Sequence, residues 1–132
     1  MTIDTNVYSA LARGLTTAAN LIDDTTEITI PLPVIAELRY GFKKGSKTEH
    51  NEQTLQKFLA QPQVSIAIPS MKTTDIYSDL QLYCSNKGRV LSHNDLWIAA
   101  LSRELESKLV TFDKDFSVLK DIFDSNLEIL DY

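Results

Sequence analysis

The chain has 132 residues, 43% of them hydrophobic, and a formal net charge of −5. This length suits one domain covering residues 1–132, with enough core to fold without disulfides. The longest unbroken apolar run, from Leu96 to Leu101, is far shorter than the roughly 20 residues that span a bilayer, which excludes a membrane helix.

The cysteine content and the first residues indicate the compartment. Cys84 is the one cysteine, which excludes an internal disulfide, and neither a basic n-region nor an apolar h-region follows Met1. Both features favour a reducing cytoplasm. The acidic net charge argues against unspecific nucleic-acid binding, which depends on excess Lys and Arg. It remains compatible with a nucleic-acid enzyme, because divalent cations reverse the local sign of a carboxylate cluster.

Short apolar runs alternate with helical patterns along the chain. Residues 27–30 alternate and are rich in β-branched side chains, which indicates a strand, whereas Ile35, Leu38 and Phe42 recur near helical spacing. Pro33 suits the first turn of that helix. The predicted elements, in chain order, are a strand at 1–3, helices at 7–13 and 16–22, a strand at 27–30, a helix from 33 that ends by 45, a helix at 51–60, a strand at 64–68, a helix at 73–86, a helix from 92, a strand at 109–112, a helix at 114–122 and a strand at 127–130.

This alternation predicts an α/β domain with a mainly parallel sheet that helices cover on both faces. Right-handed crossovers then place the carboxyl ends of all strands on one edge of the sheet. Active sites of open α/β sheets lie at that edge, where the strand order reverses.

Four acidic residues stand at the ends of predicted elements. Asp4 and Asp113 each follow a strand, and Glu37 and Asp95 lie in the first turns of helices that begin at the same edge. We therefore expect the four carboxylates to meet. Taken singly, each has a structural explanation, as a turn former or as a partner of the helix dipole. However, Glu37 and Asp95 adjoin core-directed residues, where a carboxylate is costly unless a cation compensates for it.

An all-oxygen ligand set suits Mg²⁺ or Mn²⁺ better than zinc. Such sites most often serve phosphate chemistry, because the ion activates water and offsets charge in the transition state. The expected reaction is hydrolysis of a phosphodiester bond by metal-activated water, without a covalent intermediate.

Four short motifs follow one another in a fixed order: Ile3-Asp4-Thr5-Asn6, Ile35-Ala36-Glu37-Leu38 with Gly41, residues 94–100, and residues 109–116. Together they resemble the PIN domain, and most of all its VapC branch, the toxin ribonucleases of bacterial VapBC toxin–antitoxin pairs. One departure is the short opening strand, since only three residues precede Asp4, and a native start upstream of Met1 stays open.

The resemblance implies a three-layer α/β/α sandwich and an endoribonuclease that depends on Mg²⁺ or Mn²⁺. It implies a structured RNA substrate, such as tRNA or a ribosomal RNA loop. It also implies a homodimer and a cognate VapB-type antitoxin, whose C-terminal segment occupies the active-site groove.

The resemblance also assigns the site residues. Asn6 and Thr111 would be polar companions that orient a carboxylate or a water molecule. Asp113 is preferred to Asp115 as the fourth acid, because Asp115 lies one step further into the following helix, and both stay open. The acids that the resemblance assigns to catalysis and metal binding are Asp4, Glu37, Asp95 and Asp113.

The densest basic group follows Glu37 on the same predicted helix and comprises Arg39, Lys43 and Lys44, with Lys47 just beyond. Since it adjoins an expected catalytic acid, we interpret it as a contact for RNA phosphates. The plainer alternative is a solvated helix end, where cations complement the dipole.

Three other functions fit parts of the pattern. Aspartyl-phosphate phosphatases also carry an Asp after the first strand, but they have a second Asp two residues later, where this chain has Asn6. A housekeeping PIN nuclease would show the same acids. A non-catalytic PIN module that binds RNA or protein is disfavoured, because all four acids are present.

Overall fold

The computed structural model describes residues 1–132 and contains a five-stranded sheet. The strands are β1 (Thr2–Ile3), β2 (Ile28–Pro31), β3 (Val64–Ala67), β4 (Leu109–Thr111) and β5 (Leu127–Ile129). They lie in the order β3-β2-β1-β4-β5, and each neighbouring pair is parallel. The expected parallel sheet is therefore confirmed, and it contains no antiparallel strand.

Helices cover both faces of this sheet. They are α1 (Thr5–Ala12), α2 (Thr16–Ala19), α3 (Leu32–Lys44), α4 (Thr48–Leu59), α5 (Met71–Asn86), α6 (His93–Glu104) and α7 (Lys120–Phe123), with short 3₁₀ segments at Lys114–Leu119 and Asp124–Asn126. The three-layer α/β/α sandwich expected from the sequence is confirmed. None of the helices combines the length and the apolar composition needed to cross a membrane.

Two helical segments differ in type or length from the predicted ones, and the bounds of the other elements differ by up to three residues. The segment predicted as a helix at 114–122 begins as a 3₁₀ helix, because the Phe116 N–H bonds to the carbonyl of Asp113 three residues earlier. The segment predicted as a helix at 16–22 ends at Ala19. Shortly after it, the Asp23 carboxylate accepts the N–H of Thr25 at 2.8 Å, and this local turn competes with further helix.

The core is densest around the two central strands. Ile3 of β1 and Val110 of β4 are completely buried, as are all the remaining residues of both strands. The edge strands β3 and β5 are more exposed, in agreement with their position. Burial on both faces explains why the central strands read as continuous apolar or β-branched runs.

The strand order reverses between β1 and β4. From β1 the chain adds β2 and then β3 on one side, and then crosses to place β4 on the other side of β1. The register pairs Ile3 with Val110, and the Asp4 N–H donates to the Val110 carbonyl at 3.0 Å. The residues that leave the ends of these two strands therefore emerge side by side, at the position where open α/β sheets bind ligands.

Candidate active site

Asp4 is the most buried acid of the chain, with 4% of its surface exposed. One carboxylate oxygen, Oδ1, accepts the N–H of Thr5 at 2.7 Å, so the residue also caps the start of α1. The other oxygen, Oδ2, accepts the hydroxyl of Thr111 at 2.6 Å. Both oxygens are therefore fixed, and each keeps a lone pair for a further ligand.

A second set of hydrogen bonds shapes the end of β4. Thr111 Oγ1 accepts the N–H of Asp113 at 3.0 Å, and Asn6 Oδ1 accepts the N–H of Phe112 at 3.1 Å. The Asp113 carboxylate in turn accepts the N–H of Asp115 at 2.9 Å. These bonds tie α1, β4 and the following 3₁₀ turn into one rigid corner.

Two further acids reach this corner from helices. Glu37 belongs to α3, and its Oε1 accepts a hydrogen bond from the side-chain amide of Asn94. Asp95 lies in the first turn of α6, where Ser92 Oγ accepts its N–H at 3.1 Å and caps the helix. All four acids line one cleft of about 340 Å³. The other residues that line it are Thr5, Asn6, Ser9, Arg13 and Tyr132.

The carboxylates disfavour one another's charged forms. Burial raises the pKa of Asp95 to about 6, and the charges of Asp4, Asp113 and Glu37 add to the effect. Burial also raises the pKa of Asp4, although hydrogen bonds from Thr111 and Thr5 oppose it. Glu37 is exposed as a residue, but partial desolvation of its carboxylate and the charge of Asp4 raise its pKa. A site of this kind is short of positive charge.

This arrangement can be set beside known proteins. Residues 1–122 match the PIN domain family. This chain belongs to that family. It is 35% identical over 91 residues to ribonuclease VapC2 of Rickettsia felis, an alignment that covers 69% of this chain and 66% of the relative. It is 27% identical over 117 residues to ribonuclease VapC5 of Mycobacterium tuberculosis, covering 89% and 85% of the two chains.

A solved structure supports the same conclusion. A chain of VapBC2 from Rickettsia felis, bound to a DNA fragment from its promoter, superposes with a TM-score of 0.82 at 31% identity and covers 98% of both chains. The resemblance to the VapC branch of PIN domains, predicted from four motifs, is thus confirmed.

The cleft of this PIN domain suits a hard divalent cation in its donor chemistry. Its acids offer only oxygen ligands, which hard divalent cations prefer. However, no group of three Asp, Glu, His or Cys side chains is arranged closely enough to hold a metal ion as the chain stands.

The structure separates the predicted site residues into two groups. The four expected acids and Asn6 line the cleft, and Thr111 supports Asp4 from behind it. Asp115 does not line the cleft and contributes its N–H to Asp113. The geometry therefore favours Asp113 as the fourth acid.

The basic group lies outside the cleft. Arg39 forms a two-point salt bridge with Glu52 of α4, with both N–O distances at 3.0 Å. The amine of Lys44 lies 5.2 Å from the centroid of the Tyr40 ring. Lys43 and Lys44 occupy the last turn of α3, where they also complement the helix dipole.

Sequence reasoning assigned no role to five residues at the cleft. Four of them line it, namely Thr5, Ser9, Arg13 and Tyr132, and Asn94 holds Glu37. The sequence does indicate Asn94, because it directly precedes Asp95 in one of the four motifs. Tyr132 had no local signal, because its position depends on how the chain turns after β5.

Proposed function

We propose that this PIN domain is an endoribonuclease that depends on Mg²⁺ or Mn²⁺ and acts as the toxin of a type II toxin–antitoxin pair. The observation that carries the proposal is the set of four carboxylates, from four separate segments, that lines one cleft at the strand-order reversal. The names of the curated relatives support the ribonuclease activity, and the VapBC assembly of the structural neighbour supports the toxin role.

The proposed metal ligands are Asp4, Glu37, Asp95 and Asp113. A bound ion would offset the charge of the phosphodiester and lower the pKa of a water molecule, which supplies the nucleophile at neutral pH. The protein's part is orientation. Thr111 fixes one oxygen of Asp4, and Asn94 fixes one oxygen of Glu37.

The proposed partners follow from the same relationship. A VapB-type antitoxin would bind the domain and occupy the cleft, two copies would form a homodimer, and the pair would act in the cytoplasm. Structured RNA such as tRNA or ribosomal RNA is the proposed substrate. Arg39, Lys43 and Lys44 would extend its contact surface along α3, with Lys43 and Lys44 freer to bind phosphate than Arg39.

Cleavage assays test the nuclease proposal. The purified protein should cut RNA in Mg²⁺ or Mn²⁺ and stop in excess EDTA. Asp95→Asn, which keeps the shape of the side chain, should abolish cutting, whereas Asp24→Asn at an exposed position should not. Calorimetry should show divalent-ion binding to the wild type that Asp95→Asn weakens. Unchanged cleavage by Asp95→Asn, or cleavage in EDTA, would refute the mechanism.

Expression in growing cells separates a toxin from a housekeeping nuclease. Induction of the wild-type chain should arrest growth, and induction of Asp95→Asn to the same level should not. Co-expression of the neighbouring antitoxin gene should restore growth. If cells grow normally while they contain active wild-type enzyme, the protein is a nuclease but not a toxin.

A further inference from the structure

Tyr132 places an open aromatic face at the edge of the acidic cleft. Its ring stacks on that of Phe112, with centroids 4.3 Å apart and planes 12° apart. Even so, 77% of its surface is exposed. Since Phe112 covers one face of the ring, the exposure belongs to the opposite face and the edges. An aromatic ring that is supported behind and open in front can stack on another flat group.

The support behind this ring is rigid and belongs to the acidic site. Phe112 is 6% exposed, and its N–H is held by Asn6 Oδ1 at 3.1 Å. In the sequence it stands between Thr111, which fixes Asp4, and Asp113, which lines the cleft. Phe112 is therefore held at a fixed position relative to the carboxylates, and Tyr132 stacks on it.

Arg13 is the one cationic residue that lines the cleft. It lies at the end of α1 and is exposed, and it forms no ion pair with any of the four acids. Arg39, in contrast, is engaged by Glu52. A free guanidinium beside a site for phosphodiesters is suited to bind a phosphate group, because its planar donors match phosphate oxygens.

We propose that Tyr132 and Arg13 are contact residues for the RNA substrate, with one base stacked on Tyr132 and a nearby phosphate bound by Arg13. This assignment rests on the proposed function, which places the scissile phosphodiester at the carboxylates. The stacked base must be unpaired, because the bases of a duplex are covered by their neighbours and cannot reach a protein ring. Stacking on Tyr132 tolerates any base, so this contact holds the strand without reading base edges.

Binding measurements test this site directly. Fluorescence anisotropy with a labelled single-stranded RNA and a hairpin of matched length, in Mg²⁺ and in an Asp95→Asn background, avoids cleavage. Tyr132→Ala should weaken binding of the single strand about 5- to 100-fold, the range for loss of one stacked base. Tyr132→Phe, which keeps the ring, should bind within about twofold of the parent, since stacking needs no hydroxyl. Leu105→Ala is the control, because Leu105 is 51% exposed but lies outside both the cleft and the basic surface of α3.

Salt dependence isolates the role of Arg13. Arg13→Ala should reduce the slope of log affinity against log salt concentration by about 0.7, the value for one phosphate contact on a single strand. Tyr132→Ala should leave that slope unchanged. Thermal unfolding of each variant, expected to match the parent, checks that these exposed substitutions do not alter the fold.

The outcomes separate this proposal from the nuclease proposal. Equal binding by Tyr132→Ala and Tyr132→Phe, or equal affinity of the parent for the hairpin stem and the single strand, would overturn the unpaired-RNA site. Metal-dependent cleavage by the wild type would still stand in that case. Conversely, absence of any metal-dependent cleavage would overturn the proposed function, whatever the binding data show.

Discussion

The acidic cleft and a larger cavity are both lined by residues from the start of α6. The cavity, called here the apolar groove, has a volume of about 620 Å³ and five hydrophobic lining residues: Leu82, Cys84, Val90, Leu91 and Leu96. The cleft measures about 340 Å³ and is lined mostly by polar groups. Asp95 faces the cleft and its neighbour Leu96 lines the groove. The proposed active site is therefore the smaller cleft at the strand ends, where the carboxylates crowd together, and not the larger cavity.

The strongest expected contrast is in catalysis. Asp113→Asn should reduce metal-dependent RNA cleavage by about three orders of magnitude, the upper range for removing one electrostatic contact to the reacting group. Val90→Ser in the groove, at a residue 90% exposed, should change the rate by less than about twofold. Asp115→Asn is the matched control for Asp113. A larger loss from Asp115→Asn than from Asp113→Asn would exchange their assigned roles.

Stability should show the opposite contrast. Leu96→Ala should lower the free energy of unfolding by about 3 kcal/mol, because Leu96 is 2% exposed and its removal leaves a cavity. Leu82→Ala, at a residue 61% exposed in the same groove, should cost about 0.5 kcal/mol or less. Urea unfolding measures both values. Equal losses of stability from the two variants would mean that Leu82 is covered in solution by contacts that this chain alone does not provide.

The pH dependence of stability should come from the cleft. Because burial raises the pKa of Asp95 from 3.8 to about 6, folding favours its protonated form. The stabilisation of the fold by this protonated carboxyl is complete below about pH 4. It is lost as the pH rises through 6, because the ionised carboxylate is then buried. We expect a loss of about 1 to 2 kcal/mol between pH 4 and pH 7 without metal, after discounting for solvent screening of this partly exposed group.

Two conditions should remove this pH dependence. Asp95→Asn has no proton to lose, and Mg²⁺ or Mn²⁺ would neutralise the ionised carboxylates. Thermal unfolding across the pH range, with and without metal, measures all three cases. A wild-type curve that rises with pH in the absence of metal would contradict the assigned cause.

The smallest expected effect concerns the groove's thiol. Cys84 is 2% exposed, and burial raises its pKa, so it should react slowly with thiol reagents in the folded protein. Cys84→Ala should lower the free energy of unfolding by about 0.8 kcal/mol, the value of one buried methylene-sized group, and leave RNA cleavage unchanged. Rapid labelling of the native thiol would show that the groove opens.

The parallel sheet and the convergence of the acids could be predicted because both depend on local patterns. Asp4 and Asp113 follow apolar runs, and a parallel topology takes all such positions to one edge. The segment after Asp113 is predicted only as a helix, without its 3₁₀ type, since the apolar spacing does not distinguish a three-residue from a four-residue hydrogen-bond pattern over one or two turns. Tyr132 could not be predicted, because only the path of the chain after β5 brings it onto Phe112.

The hydrogen bond from Thr111 to Asp4 joins residues 107 positions apart in a chain of 132. The central strand pairing that aligns them has the same long separation. Synthesis from the amino to the carboxyl end therefore makes Asp4 107 residues before Thr111. A nascent chain that has not yet reached β4 has no assembled cleft, and neither has a chain that stops before β4. Assembly of the acidic cleft is thus a late event in the synthesis of this domain.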